Sequence, residues 1–110
     1  MIQHYDFGEI VIDGNSYEDV KIVSNKAIPW QYTEHHRITM QDLDEILAVK
    51  PKIIVIGTGY SGMLTVKEDV IAYAKQHKIK LLIENTRSAV DSFNKLAKTE
   101  DVCAIMHATC

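Results

Sequence analysis

The amino-acid sequence predicts an α/β fold, a three-layer single domain over residues 1–110 with a mixed central sheet, flanking helices and an extra N-terminal β-hairpin element. Ile53–Ile56 is an unbroken run of β-branched aliphatics, the pattern of a strand buried on both faces beneath helices. From Thr39 to the end, helix-period and strand-type segments alternate, the order that builds a parallel sheet. Before Thr39 the pattern is β throughout, punctuated by Asp13-Gly14, a strong signal for a tight hairpin turn.

In chain order, Glu9–Ile12 and Asn15–Glu18 are the arms of that hairpin. Val20–Val23 is a short apolar strand broken only by Lys21, and Ala27–Tyr32 is extended because Pro29 keeps Ile28 out of helical geometry. Trp30 is expected to bury its ring where this β region meets the rest. Thr39 and Asp42 have capping-box spacing and open a helix to about Val49, with Leu43, Ile46 and Leu47 on its apolar face. Pro51 stops it before the buried strand. Thr65 and Glu68 repeat the capping pattern ahead of a helix facing inward through Val70, Ile71 and Ala74. Lys80–Ile83 is the next strand. Asn85, Thr86 or Ser88 caps a third helix whose Ala89, Val90, Phe93, Leu96 and Ala97 face the core, and Val102–Met106 is the last strand.

Hydrophobic residues make up 46% and charged residues 25% of the 110, so a core forms without metal or disulfide support. A formal charge of −3 with scattered lysines and arginines carries no electrostatic footprint for nucleic acid or an anionic membrane. No apolar run approaches the length of a membrane span. The opening residues MIQHYDFGEI lack the features of a secretory or mitochondrial presequence. Cys103 and Cys110 form no C-x-x-C pair, and the expected location is a reducing cytoplasm.

Gly57, Gly59 and Gly62 give a G-x-G-x-x-G pattern directly after the buried strand. Glu84 ends the next strand about twenty residues further on, as the ribose-binding acid of a dinucleotide site would. The helix start argues otherwise. Pyrophosphate binding needs free N–H groups of a helix opening inside the glycine loop, whereas the capping signal stands at Thr65, beyond the bulky Met63-Leu64 pair. The glycines are then expected to serve a tight turn. If the two strands are parallel, their following loops leave the same edge, and Gly57, Thr58, Gly59 and Tyr60 face Asn85, Thr86 and Arg87. Such a pocket would suit a carboxylate or phosphate, with Arg87 as its cation. The plainer reading has Asn85 and Thr86 capping the helix and Arg87 solvated.

Other chemistry is sparse. His35 and His36 would point oppositely in a strand and, with Glu34 and Arg37, read as a polar turn. His107 and Cys110 have metal-compatible spacing but no third partner in sequence, so no metal or other cofactor is expected. Cys103 reads as a small buried hydrophobe, and Cys110 as an exposed, oxidisable thiol on a frayed terminus. Ser61 lacks the spacing of a nucleophile elbow. The absence of an acid, base and nucleophile set favours binding over catalysis. An enzymatic use of the pocket would require Glu84 or His107 to line it.

Pro29-Trp30, the Ile56-Gly57-Thr58-Gly59 loop, the Thr86…Ala89…Phe93-Asn94…Leu96 helix and the Val102–Cys110 ending, with His107-Ala108-Thr109-Cys110, carry a resemblance over nearly the whole chain. Together they resemble the Mth938-like family, domain of unknown function four-nine-eight. Its members include the adipogenesis-associated domain-containing protein and mitochondrial complex I assembly factor three. The family typically has tyrosine where this chain has Phe93. The resemblance implies a three-layer fold with a β-rich N-terminal part, no established catalysis, and action through a partner protein. The functional expectation is a non-catalytic protein-binding or assembly module, the alternative a small-molecule or anion site at the Gly57–Tyr60 and Asn85–Arg87 loops.

Overall fold

The computed structural model describes residues 1–110. Its centre is a five-stranded mixed sheet in the order β5-β4-β10-β7-β9, formed by Lys26–Pro29, Val20–Val23, Val102–Met106, Ile53–Gly57 and Lys80–Glu84. β7 pairs parallel with both β10 and β9, while β4 runs antiparallel to β10 and to β5. The last strand in sequence therefore lies in the middle of the sheet.

Alternation along the central strands feeds two separate cores. Ile53, Val55, Ala104 and Met106 face one side, where they meet Val20 and Ile22 of β4 and Ala89, Val90 and Phe93 of helix α3 (Thr86–Leu96). Ile54, Ile56, Cys103 and Ile105 face the other, against Trp30, Ile46 of α1 (Asp44–Ala48) and Val70 of α2 (Glu68–Gln76). Two apolar faces on one strand require cover on both sides, which produces the three layers.

The N-terminal part is a three-stranded antiparallel sheet of β1 (Ile2–Asp6), β2 (Glu9–Ile12) and β3 (Asn15–Tyr17). β1 went unread in the sequence for a definite reason. Its register shifts between Ile2 and His4, and this bulge breaks the two-residue period that marks a strand. Asn94 of α3 clamps it, accepting from Ile2 N at 2.9 Å and donating to Ile2 O at 2.8 Å.

Other local readings change in detail. The Thr39–Asp42 box forms: Asp42 Oδ2 accepts from Thr39 N at 2.9 Å, and Thr39 Oγ1 accepts from Asp42 N at 3.3 Å. It opens a 3₁₀ turn at Gln41–Leu43 that passes into α1. Trp30 is buried and donates its indole N–H to Asp42 Oδ1 at 3.2 Å. The second box does not form. Thr65 belongs to β8 (Thr65–Val66), paired in parallel with β6 (Arg37–Ile38), and α2 starts from Lys67 without a side-chain cap. Ile71, expected to face inward, is exposed.

Candidate functional site

Parallel pairing of β7 with β9 and β10 sets Gly57, Glu84 and Met106 side by side, so all three strands end on one rim. The two predicted loops meet there. Thr58 N donates to Glu84 O at 2.9 Å, Gly59 N to Thr86 Oγ1 at 2.8 Å, and Thr86 N to Gly59 O at 3.0 Å. Gly57, Thr58, Gly59, Asn85 and Thr86 are thus brought together as the sequence suggested.

The extended segment after β10 lies between these loops and ties the rim together. His107 N donates to Gly57 O at 3.0 Å, and the buried Thr86 hydroxyl donates to His107 O at 2.6 Å. Ala108 O accepts from Gly8 N and from the Tyr5 hydroxyl, both at 3.0 Å. Thr109 O accepts from Tyr60 N, and Cys110 O from Met63 N, each at 3.3 Å. Residues 107–110 are therefore a packed seam rather than the frayed end expected from their position. Gly59 is glycine because its φ is +108° and because a Cβ would lie 2.4 Å from Thr109 O and 2.8 Å from the Cys110 carbonyl carbon.

This seam decides what the glycine loop can offer. The amides of Thr58, Gly59, Tyr60, Gly62, Met63 and Leu64 are all engaged within the molecule. Leu64 packs inward while Met63 is exposed. Asn85 caps α3, accepting from Ser88 N at 3.0 Å. Arg87 is exposed, as the plainer reading has it, and its guanidinium lies over the rings of Tyr5 at 5.5 Å and Tyr60 at 5.9 Å. Burial pushes the Tyr5 hydroxyl pKa up, and the Arg87 charge pulls against that. Glu84 keeps one carboxylate oxygen buried without a hydrogen-bond partner.

Two features went unread in the sequence. The first is aromatic. Phe7, in the β1–β2 turn, is 59% exposed and meets the 50% exposed Tyr60 edge to face at 5.7 Å. Its only sequence signal was a large apolar residue beside the turn glycine Gly8.

The second is a corner where His36, His107 and Cys110 converge, their ligand atoms all within 4.8 Å of one another. His36 and the 107–110 segment lie far apart in the chain, and the pairing of β6 with β8 that joins them leaves no pattern in sequence. Asp19 Oδ1 stands 3.0 Å from His107 Nδ1 and also accepts from Ala108 N at 2.9 Å. That carboxylate, followed by the nearby Cys110, raises the His107 pKa above its ordinary value against the opposing effect of burial. Trp30, Tyr32 and His36 surround the imidazole edge-on, with ring centroids 6.4, 6.0 and 6.3 Å away. Cys103 is a buried thiol whose pKa burial pushes up, a structural role.

Residues 2–107 match the family described as Protein of unknown function (DUF498/DUF598). The chain belongs to this family. Solved structures agree on the fold. It is similar to the conserved hypothetical protein PH1505 from Pyrococcus horikoshii OT3, with a TM-score of 0.90 at 22% identity, over 100% of this chain and 99% of that one. MT938 superposes with a TM-score of 0.78 at 25% identity, over 100% and 98% of the two chains. A Bartonella henselae protein named as an outer membrane protein gives 0.84 at 22% identity, over 99% and 94%. In the present chain no helix is long and apolar enough to cross a membrane.

Proposed function

We propose that the chain is a non-catalytic protein-binding module, and that its contact face is the rim around Phe7, Tyr60, Met63 and Arg87. The observation that carries this reading is the exposed Phe7–Tyr60 pair, held edge to face at 5.7 Å with the Arg87 guanidinium against Tyr60. Met63, 62% exposed, stands on the same glycine loop. Phenylalanine, tyrosine, methionine and arginine are the types enriched at the centres of protein interfaces, and tyrosine and arginine recur among their energetic hot spots. Their backbones are fixed by the seam, so binding costs little ordering of the chain. A phosphate or nucleotide is a poorer fit for this face, since most of the loop amides are engaged and the Arg87 guanidinium already lies over two aromatic rings. Both cysteines are free thiols, which suits a protein at work in a reducing cytoplasm.

The reading is tested by photocrosslinking in extract of the source cells, with the probe at residue 7 or 60 and a control probe at Lys75 on α2. A discrete adduct from the rim positions alone is expected. Affinity for the captured protein should fall about 30-fold in Tyr60→Ala, the loss of a hot-spot side chain. An adduct that Phe7→Ala and Tyr60→Ala leave undiminished, or one formed only from Lys75, removes the rim as the contact face.

A further inference from the structure

The corner beside that rim has a different chemistry. We propose that His36, His107 and Cys110 form a binding site for a borderline-soft divalent cation, zinc above all, with its fourth position open to the outside.

The donor set comes first. Two imidazoles and one thiolate are the ligand types that zinc prefers, and three protein ligands plus an exchangeable group is the usual form of an open zinc site. A tetrahedral ion with such ligands needs donor separations of about 3.3–3.7 Å. The three ligand atoms here lie within 4.8 Å of one another, so small side-chain rotations close the shell.

The second observation is an atom with no other role. His36 Nδ1 is buried and has no hydrogen-bond partner. A buried, unpaired imidazole nitrogen is costly, and a cation at this corner would give it one. His36 also sits at φ +59°, an uncommon conformation for a non-glycine residue. Its carbonyl is held there by Thr65 N at 2.9 Å.

The third is support from behind. Asp19 faces His107 Nδ1, which makes that nitrogen the protonated one and leaves Nε2 its lone pair. A carboxylate behind a ligating imidazole is the recurring outer partner of zinc histidines. On the Nε2 side the Thr109 hydroxyl stands at 3.4 Å, too long to hold that nitrogen firmly. Cys110 is partly exposed, and its carbonyl is fixed by Met63 N. The fourth side opens on a depression of about 640 Å³ bordered by His36, Ser61, Met63 and Cys110, which gives the ion its entry path.

The test uses Co²⁺ as a spectroscopic stand-in and Zn²⁺ as competitor on the whole chain. One equivalent of Co²⁺ should give a thiolate-to-cobalt charge-transfer band that Zn²⁺ abolishes. Zn²⁺ at about one hundred times its dissociation constant should raise the unfolding midpoint on the order of 10 °C. Cys110→Ser should lose the band, and His36→Asn, which tolerates the left-handed backbone, should weaken binding by more than about 100-fold. Asp19→Asn, acting through His107, should weaken it by about 10–100-fold while keeping the band. Cys103→Ala should leave the band as it is. Failure to bind either ion overturns the site, and so does uptake that Cys110→Ser and His36→Asn leave unchanged.

Discussion

The glycine loop and the histidine–cysteine corner share one rim and one seam, yet they stand in opposite chemical states. In the loop, six of the seven amides from Thr58 to Leu64 have a partner: Gly59 N meets Thr86, Tyr60 N meets Thr109 O, and Met63 N meets Cys110 O. At the corner, His36 Nδ1 has none, and a carboxylate holds His107 from behind. A motif that resembles a ligand cradle in sequence thus serves the fold, while the unused chemistry sits on residues with no motif. Glycines after a strand show where the backbone must turn closely; they do not show whether what approaches is a phosphate or the protein's own chain.

The comparison breaks most directly at Gly59. Gly59→Ala forces a methyl group against the Thr109–Cys110 backbone at a positive φ, and the expected loss is about 3–4 kcal/mol in urea unfolding at unchanged m-value. Gly62→Ala is its counterpart. The added Cβ would meet only the Thr58 hydroxyl, at 3.6 Å, so backbone strain alone should cost about 1–2 kcal/mol. Equal losses would mean that the seam contributes nothing to the requirement for glycine. Thr86→Val removes the hydroxyl that bonds both Gly59 N and His107 O, and should cost about 2–3 kcal/mol. A loss below about 0.5 kcal/mol would show that the seam is not held there.

Ligand screens sharpen the contrast between the two regions. Nucleotides and inorganic phosphate should leave the unfolding midpoint where it is, since six of the seven amides from Thr58 to Leu64 are already engaged. A shift of several degrees that is lost in Arg87→Ala would return the anion reading to the loop.

The smallest effect concerns protons, in chelator-treated protein. His107 is raised chiefly by its bond to Asp19. A raised folded-state pKa adds stability below the unfolded value of about 6.5, and that stability fades as pH climbs through the folded value. The gap in stability between wild type and Asp19→Asn should therefore be wider near about pH 5.5 than near about pH 8. The His107 ring signals in NMR should titrate higher in wild type. A gap that widens toward alkaline pH contradicts the charged pairing.

The layered body was legible in sequence because its strands are buried on both faces and its helices on one. Val20–Val23 and Val102–Met106 were read to the residue. Asn85 was among the caps named for α3 and is the one used. What escaped was set by pairing rather than by periodicity. β1 hides behind a bulge, and β6 and β8 are too short to show any period. Thr65, with its apparent capping partner Glu68, was drawn into β8 by a partner nearly thirty residues away. The meeting of loops after Ile56 and Ile83 could be reasoned from parallel strands. The arrival of His36 beside Cys110 could not, since no local rule records which edge a two-residue strand joins.

The order β5-β4-β10-β7-β9 also bears on biosynthesis. The strand that unites the antiparallel and parallel halves follows the other four strands of this sheet in sequence, and the tether for three surface turns follows it. Until then the nascent polypeptide holds two unjoined pieces, each with an exposed hydrogen-bonding edge. Closure of this molecule is consequently a late, long-range event after translation of residues 102–110, the stage at which chaperones would find most to protect.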